Sequence, residues 1–312
     1  MVVLVPTREL CIQVGKEIKS VCDLLELKVG ILYGGRNISG DYKTTRKKNQ
    51  IIVATPGRLY DLALANSLSL KTIKKLIIDE VDVMLDLGFR FQLSNIFELM
   101  PNKRQNIMFS ATMTDEIDAL IQDFFTVPTT VSIAVSGTPL ENISQQCYTV
   151  QNYYTKVNLL AHLIRDKTTH SKVLVFVESK KSEDRLCERL EPIFGNEMCV
   201  IHSNKSQNYR IRSIEQFEQG KNRILIATDV MARGLDLDKI THVINFDTPN
   251  YPENYMHRIG RTGRAEELGN SILFSTEKEI EYRDAIEKLM DYKIPLQPFP
   301  KEVELTSELT PE

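Results

Sequence analysis

No apolar run among these 312 residues approaches the length of a membrane span. The opening run, Val2 to Val5, is cut off by Arg8 and Glu9 and is too short for a signal peptide. Cysteine pairing is absent as well: Cys11, Cys22, Cys147, Cys187 and Cys199 make no C-x-x-C motif and no histidine-interleaved zinc spacing. They read as reduced, mostly buried small hydrophobes of a cytoplasmic protein. Charge of one sign is lacking too. The formal net charge is −3, and residues 1–135 balance 16 Lys and Arg against 15 Asp and Glu. There is no overall basic field to hold a polyanion, so any such ligand has to be met by a local surface.

What is present is the composition of a globular protein, 42% apolar and 26% charged, at a length that favours two domains over one core. Strand and helix patterns alternate from the first residues. A β-branched strand at Val2 to Val5 gives way to a helical pattern through Leu10, Val14, Ile18, Val21 and Leu25. Further strands are expected at 29–33, 51–54, 76–82 and 106–109, with helices at 90–100 and 114–125. Residues 135–146 lose periodicity and have linker composition. Beyond them strands are expected near 173–177, 198–202, 223–227, 242–246 and 271–274, and helices near 154–166, 180–194, 207–219 and 277–291. Thr276 and Glu279 supply a capping box for the last helix. The blocks also resemble each other, Ile51 to Thr55 matching Ile224 to Thr228 and Val2 to Val5 matching Val173 to Phe176, which suggests two copies of one parallel α/β unit. The expected organisation is a domain at 1–134, a linker at 135–146, a second domain at 147–295 and a loosely packed acidic tail at 296–312.

In parallel sheets ligands sit at the carboxyl ends of the strands. The run Leu76-Ile77-Ile78 stops there at Asp79-Glu80-Val81-Asp82, which is either a catalytic acidic edge or a polar turn into a helix. His257-Arg258-Ile259-Gly260-Arg261-Thr262-Gly263-Arg264 spaces three arginines by three residues, a poor helix interior. Their forks suit phosphate oxygens or, more plainly, surface salt bridges. Asp236 could hold a ribose or a water, or cap a helix. A further set suits a polyanionic backbone held without base reading: Pro6, Thr7, Arg8, Gly34, Gly35, Thr55, Gly57 and Arg58, then Ser179, Lys180, Gln207, Arg210, Thr228, Arg233 and Gly234.

These residues carry a resemblance. Pro-Thr-Arg-Glu-Leu, Gly-Gly, Thr-Pro-Gly-Arg, Asp-Glu-Val-Asp, Ser-Ala-Thr, Ala-Arg-Gly-Leu-Asp and His-Arg-Ile-Gly-Arg-Thr-Gly-Arg stand in the order of DEAD-box RNA helicases, from about Val2 to Ser275. The sequence looks most similar to the short bacterial, RhlE-like members. The resemblance implies two tandem RecA-like parallel-sheet α/β domains, ATP and Mg²⁺ as cofactors, and RNA bound through its backbone without sequence preference. It implies that Asp79 holds Mg²⁺ through water and that Glu80 orients the attacking water. Arg261 and Arg264 would reach the γ-phosphate, and Asp236 would sit on the nucleotide. Asp82, Ser110, Thr112 and His257 would couple the domains, and the phosphate-holding set would contact RNA.

Two departures stand out. Val81 replaces the alanine of the family name, a packing change that leaves the carboxylates in place. More seriously, no G-x-x-x-x-G-K-[ST] loop occurs anywhere, and Gly15-Lys16 falls in mid-helix. The phosphate loop and the glutamine motif of the family, both of which precede Pro-Thr-Arg-Glu-Leu, are missing. The first domain is therefore expected to be truncated and the 312 residues to lack ATPase activity. The alternatives are a non-catalytic RNA-binding or partner-clamping protein and, less well matched to the motifs, a DNA translocase.

Overall fold

The structure, a computed structural model, describes residues 1–132, 142–201, 204–232, 235, 237, 239–263 and 268–307. They form two compact units, residues 1–132 and most of the described residues from 142 onward.

In the first unit the chain runs β1 (Val2–Leu4), α1 (Arg8–Asp23), β2 (Val29–Leu32), α2 (Ser39–Thr45), β3 (Ile51–Ala54), α3 (Pro56–Leu64), β4 (Lys75–Ile78), α4 (Val81–Asp86), α5 (Arg90–Leu99), β5 (Gln105–Met108) and α6 (Asp115–Phe124). The strands are parallel in the order β2-β3-β1-β4-β5. Strand side chains alternate between faces, so Val2 and Leu4 pack with Leu59, Leu62, Leu93 and Ile117 on one side of the sheet. Val3 and Val5 pack with Leu10 and Cys11 of α1 on the other.

The second unit runs β6 (Ile143–Thr149), α7 (Tyr153–Ile164), β7 (Val173–Val177), α8 (Lys180–Phe194), β8 (Met198–Ile201), α9 (Gln207–Glu218), β9 (Ile224–Thr228), α10 (Asp229–Ala232), β10 (His242–Asn245), α11 (Pro252–Ile259), β11 (Gly269–Ser275) and α12 (Ile280–Met290). Its order is β6-β11-β10-β7-β9-β8, again parallel throughout. Read from β8 to β11, this repeats the order of the first sheet, with β6 added beside β11.

The structure corrects three expectations and adds a helix, α3, after the third strand. The 135–146 segment is not linker to its end: β6 begins at Ile143, its polar Ser144, Gln145 and Gln146 hiding a strand whose Gln145 is buried and accepts from the Tyr255 hydroxyl at 2.9 Å. The tail is not loose over its described part. Cys147 N–H donates to the Pro295 carbonyl and Gln297 N–H to the Cys147 carbonyl, while Val303 is buried in the core and Asn158 donates to the Glu304 carbonyl. Thr55 is an extended cap and Pro56 opens α3, where its missing N–H costs nothing. The acidic strand ends at Ile78, and a left-handed Glu80 (φ 54°) turns the chain into α4.

Candidate nucleotide and nucleic-acid site

At the carboxyl end of β1, Thr7 caps α1, its hydroxyl accepting from Leu10 N–H at 3.3 Å. Arg8 then lies across Gly34 and Gly35. A side chain at Gly35 would collide with its guanidinium, and the φ of +80° there already favours glycine. Asp41 of α2, fully buried, takes Arg36 at 2.6 Å on one oxygen and Arg58 on the other. Arg58 also donates to the Arg36 carbonyl at 2.8 Å. The Gly-Gly turn and the start of α3 are thus tied together beneath the strand ends. Arg58 faces this network and is buried, where the sequence reading had it on a polyanion. Sequence reasoning passed over Asp41 because it belongs to no motif.

The acidic corner is held by the sheet. Asp79 N–H donates to the Leu4 carbonyl at 3.0 Å and Val81 N–H to the Phe109 carbonyl at 3.1 Å. Burial, with the Asp82 charge adding to it, pushes the Asp79 carboxyl above its ordinary range, against the opposing effect of the Glu80 N–H. Thr112 donates to Asp82 Oδ2 at 3.3 Å, while Asp82 Oδ1 is buried without a hydrogen-bond partner among the described residues. Ser110 donates to the Thr112 carbonyl at 2.6 Å and so supports Asp82 through Thr112. Among the described residues no group of three or more His, Cys, Asp or Glu could cage a metal. Mg²⁺ keeps its waters and takes one or two carboxylates plus substrate phosphate oxygens, and the Asp79 carboxyl at the sheet edge is a donor of that kind.

In the second unit Ser179 caps α8, accepting from Ser182 N–H at 3.2 Å. Ser179, Lys180 and Thr228 share a cavity of about 490 Å³ with Val230 and Met231. Arg210, buried, donates to Gln207 and to Met231 Sδ at 3.4 Å, which fixes one wall of that cavity. The two described arginines of the glycine-rich run, Arg258 and Arg261, have different surroundings. His257 and Arg258 fall in the last turn of α11, where Arg258 is only 2% exposed and forks onto Asp229 at 2.6 and 2.8 Å. It also reaches Asn245 and the Asp247 carbonyl. Helical periodicity turns it inward by the three residues that leave Arg261 after the helix, with its Nε on the His257 carbonyl at 3.2 Å. Arg233, Gly234, Asp236 and Arg264 lie outside the described residues. Asp229, Asn245 and Asp247, the partners of Arg258, were not legible as a group in the sequence.

With the strand ends assigned, comparison with known proteins is decisive. The profile of the DEAD/DEAH box helicases matches residues 1–120, and that of the helicase conserved C-terminal domain matches residues 155–266. The chain belongs to the DEAD-box RNA helicase family. It is 37% identical over 293 residues to the DEAD-box ATP-dependent RNA helicase CshA of Bacillus licheniformis, covering 94% of this chain and 60% of that protein. It is 37% identical over 298 residues to the ATP-dependent RNA helicase CshA of Limosilactobacillus reuteri, covering 95% and 59%. The chain thus spans about three-fifths of the length of these relatives. Among solved structures it is similar to S. cerevisiae Dbp5 bound to RNA and ADP BeF3, with a TM-score of 0.85, 27% identity, and 96% of this chain and 77% of that one covered. DEAD-box helicase Mss116 bound to ssRNA and UDP-BeF also gives 0.85, at 26% identity over 96% and 65%. Two RecA-like parallel-sheet units are therefore the fold of this chain. No described helix is long and apolar enough to cross a membrane.

Proposed function

We propose that these residues belong to an ATP-dependent RNA helicase, of the bacterial and more finely the RhlE-like type, that remodels short RNA duplexes in the cytoplasm. The observation that carries this reading is the pairing of the Asp79–Asp82 corner at one sheet edge with a second unit whose Ser179, Lys180 and Thr228 open onto one cavity. The likeness to a relative solved with RNA and a nucleotide analogue supports it.

In this reading the Asp79 carboxylate would hold Mg²⁺ through water, and the ion would supply charge neutralisation for the phosphates. Glu80, at the left-handed turn into α4, orients the attacking water. Arg261 and Arg264 meet the γ-phosphate and Asp236 the nucleotide. Asp82, fixed by Thr112 and Ser110, passes the state of the acidic corner to His257. RNA is held through its backbone by Pro6, Thr7, Arg8, Gly34, Gly35, Thr55 and Gly57 in one unit, and by Ser179, Lys180, Gln207, Thr228, Arg233 and Gly234 in the other. Arg58 and Arg210 act behind this surface, positioning the groups in front of them.

The 312 residues contain no G-x-x-x-x-G-K-[ST] loop, so by themselves they offer no backbone cradle or lysine for the β- and γ-phosphates. That observation favours a second reading, RNA binding or partner clamping without turnover by these residues alone. Competition binding with matched RNA and DNA strands tests the shared core of both. RNA is expected to win through its 2′-OH groups, and equal competition by DNA would contradict the assignment to RNA.

A further inference from the structure

The charge balance of the first unit hides a segregation. All five of its strands are parallel, so the segments that lead into β2, β3, β4 and β5 emerge on one edge, the amino edge. Those segments, 24–28, 46–50, 65–75 and 101–105, hold nine cations against a single acid, Glu26. The rest of residues 1–132 hold seven cations against fourteen acids.

The cations follow the sheet order. Lys28 heads β2, and Arg46, Lys47 and Lys48 precede β3. Lys71, Lys74 and Lys75 lead into β4 across β1, and Lys103 precedes β5. Register sets them level: Gln50 N–H donates to the Lys28 carbonyl at 3.0 Å, and Gln105 N–H to the Lys74 carbonyl at 2.9 Å. These eight side chains are exposed, and none forms an ion pair among the described residues. Arg104 joins them half-buried, its guanidinium 5.2 Å above the Phe97 ring.

Four strand spacings make the row roughly 19 Å wide. The strand length, roughly 13 Å, separates it from the carboxyl edge. A row of unpaired cations on a unit of balanced total charge is a local field, and fields of this kind bind phosphate backbones without reading bases. The carboxyl edge is the poorer in free cations, because Asp41 consumes Arg58 and part of Arg36.

We propose that the amino edge of the first sheet is a second RNA surface, holding the phosphates of RNA that extends beyond the segment seated at the carboxyl edge. This rests on the RNA-binding reading above and adds a place where flanking RNA is anchored while the short engaged segment is remodelled.

The test uses the 312-residue chain and two RNAs: a strand of about ten nucleotides, within the site size of such grooves, and the same strand joined to a hairpin stem. A triple variant, Lys47→Gln, Lys48→Gln and Lys74→Gln, alters only exposed side chains, and its melting temperature should match the parent. For the hairpin-bearing RNA it is expected to bind ten- to a hundredfold more weakly at ~0.1 M salt, with the log K against log salt slope reduced by about 2. Binding of the short strand should not change. Unchanged affinity and slope for the hairpin-bearing RNA would overturn the proposal. Failure of the parent chain to bind the short strand while still binding the longer one through these lysines would instead sink the carboxyl-edge reading and leave this one standing.

Discussion

The two sheets share one strand order and differ at one edge. In the second, β11 is covered by β6, and β6 in turn is bridged at Cys147 to Leu296 of the tail segment. In the first, β5 has no strand beyond it among the described residues. Leu273 of β11 is fully buried, whereas Ile107 of β5 is 36% exposed and Phe109 just after it 56%. One topology thus yields a closed and an open version of the same unit. An unpaired strand edge leaves N–H and C=O groups and apolar faces to water, so the difference should be visible in stability and in activity.

The largest effect is expected from the buried charges. Arg258→Ala leaves Asp229 without its fork and should cost the second unit about 3–5 kcal/mol in denaturant unfolding. Arg58→Ala, its counterpart in the first unit, leaves Asp41 still held by Arg36 and should cost about 1–3 kcal/mol. Equal losses would break the comparison. Next come one apolar position on β11 and one on β5. Leu273→Ala should cost about 2–5 kcal/mol and Ile107→Ala less than about 0.5 kcal/mol. Hydrogen exchange sharpens the same point: amides of β5 should exchange before those of β11, and equal protection would mean that the open edge carries no penalty.

Histidine protonation should act on the second unit only. All five histidines lie after residue 160, and His170 and His242 stack with ring centroids 4.1 Å apart. Burial, and then the neighbouring His170, pull the His242 pKa down to about 4, and burial lowers that of His170. A histidine whose folded pKa is depressed takes its proton more readily when unfolded. Its contribution is therefore complete above about pH 6.5 and is lost as pH falls toward about 4, on the order of 2 kcal/mol for His242. Burial pushes the Glu183 carboxyl of the same unit up to about 9 and works in the opposite sense over this range. The histidine contribution is therefore read as the difference in unfolding between the parent and His242→Asn, which should change from pH 7 to pH 5 in the second unit.

Much of this was legible in the sequence. Apolar runs of four or five residues ending at Gly, Thr or Asp marked most strands, because a strand buried on both faces must be apolar throughout. The capping box at Thr276 and Glu279 formed as read, and its Glu279 also holds the buried Lys156. β6 was missed because Ser144, Gln145 and Gln146 break the apolar pattern while their backbone pairs with β11. The packed tail was missed because prolines and acids read as solvated chain, although Val303 is buried in the core and Phe299 packs against it. Within the site, motif order led to Asp79 and Thr112. It could not show that Arg58, Arg210 and Arg258 turn inward, since their partners Asp41, Met231 and Asp229 lie 17, 21 and 29 residues away in the chain.

The most direct test of the central claim is RNA-stimulated ATP hydrolysis by the 312-residue chain, measured beside its RNA binding. The carboxylate corner and the strand ends proposed to hold RNA, without a phosphate loop, predict RNA binding with turnover at background. RNA-stimulated turnover by these residues alone would contradict it.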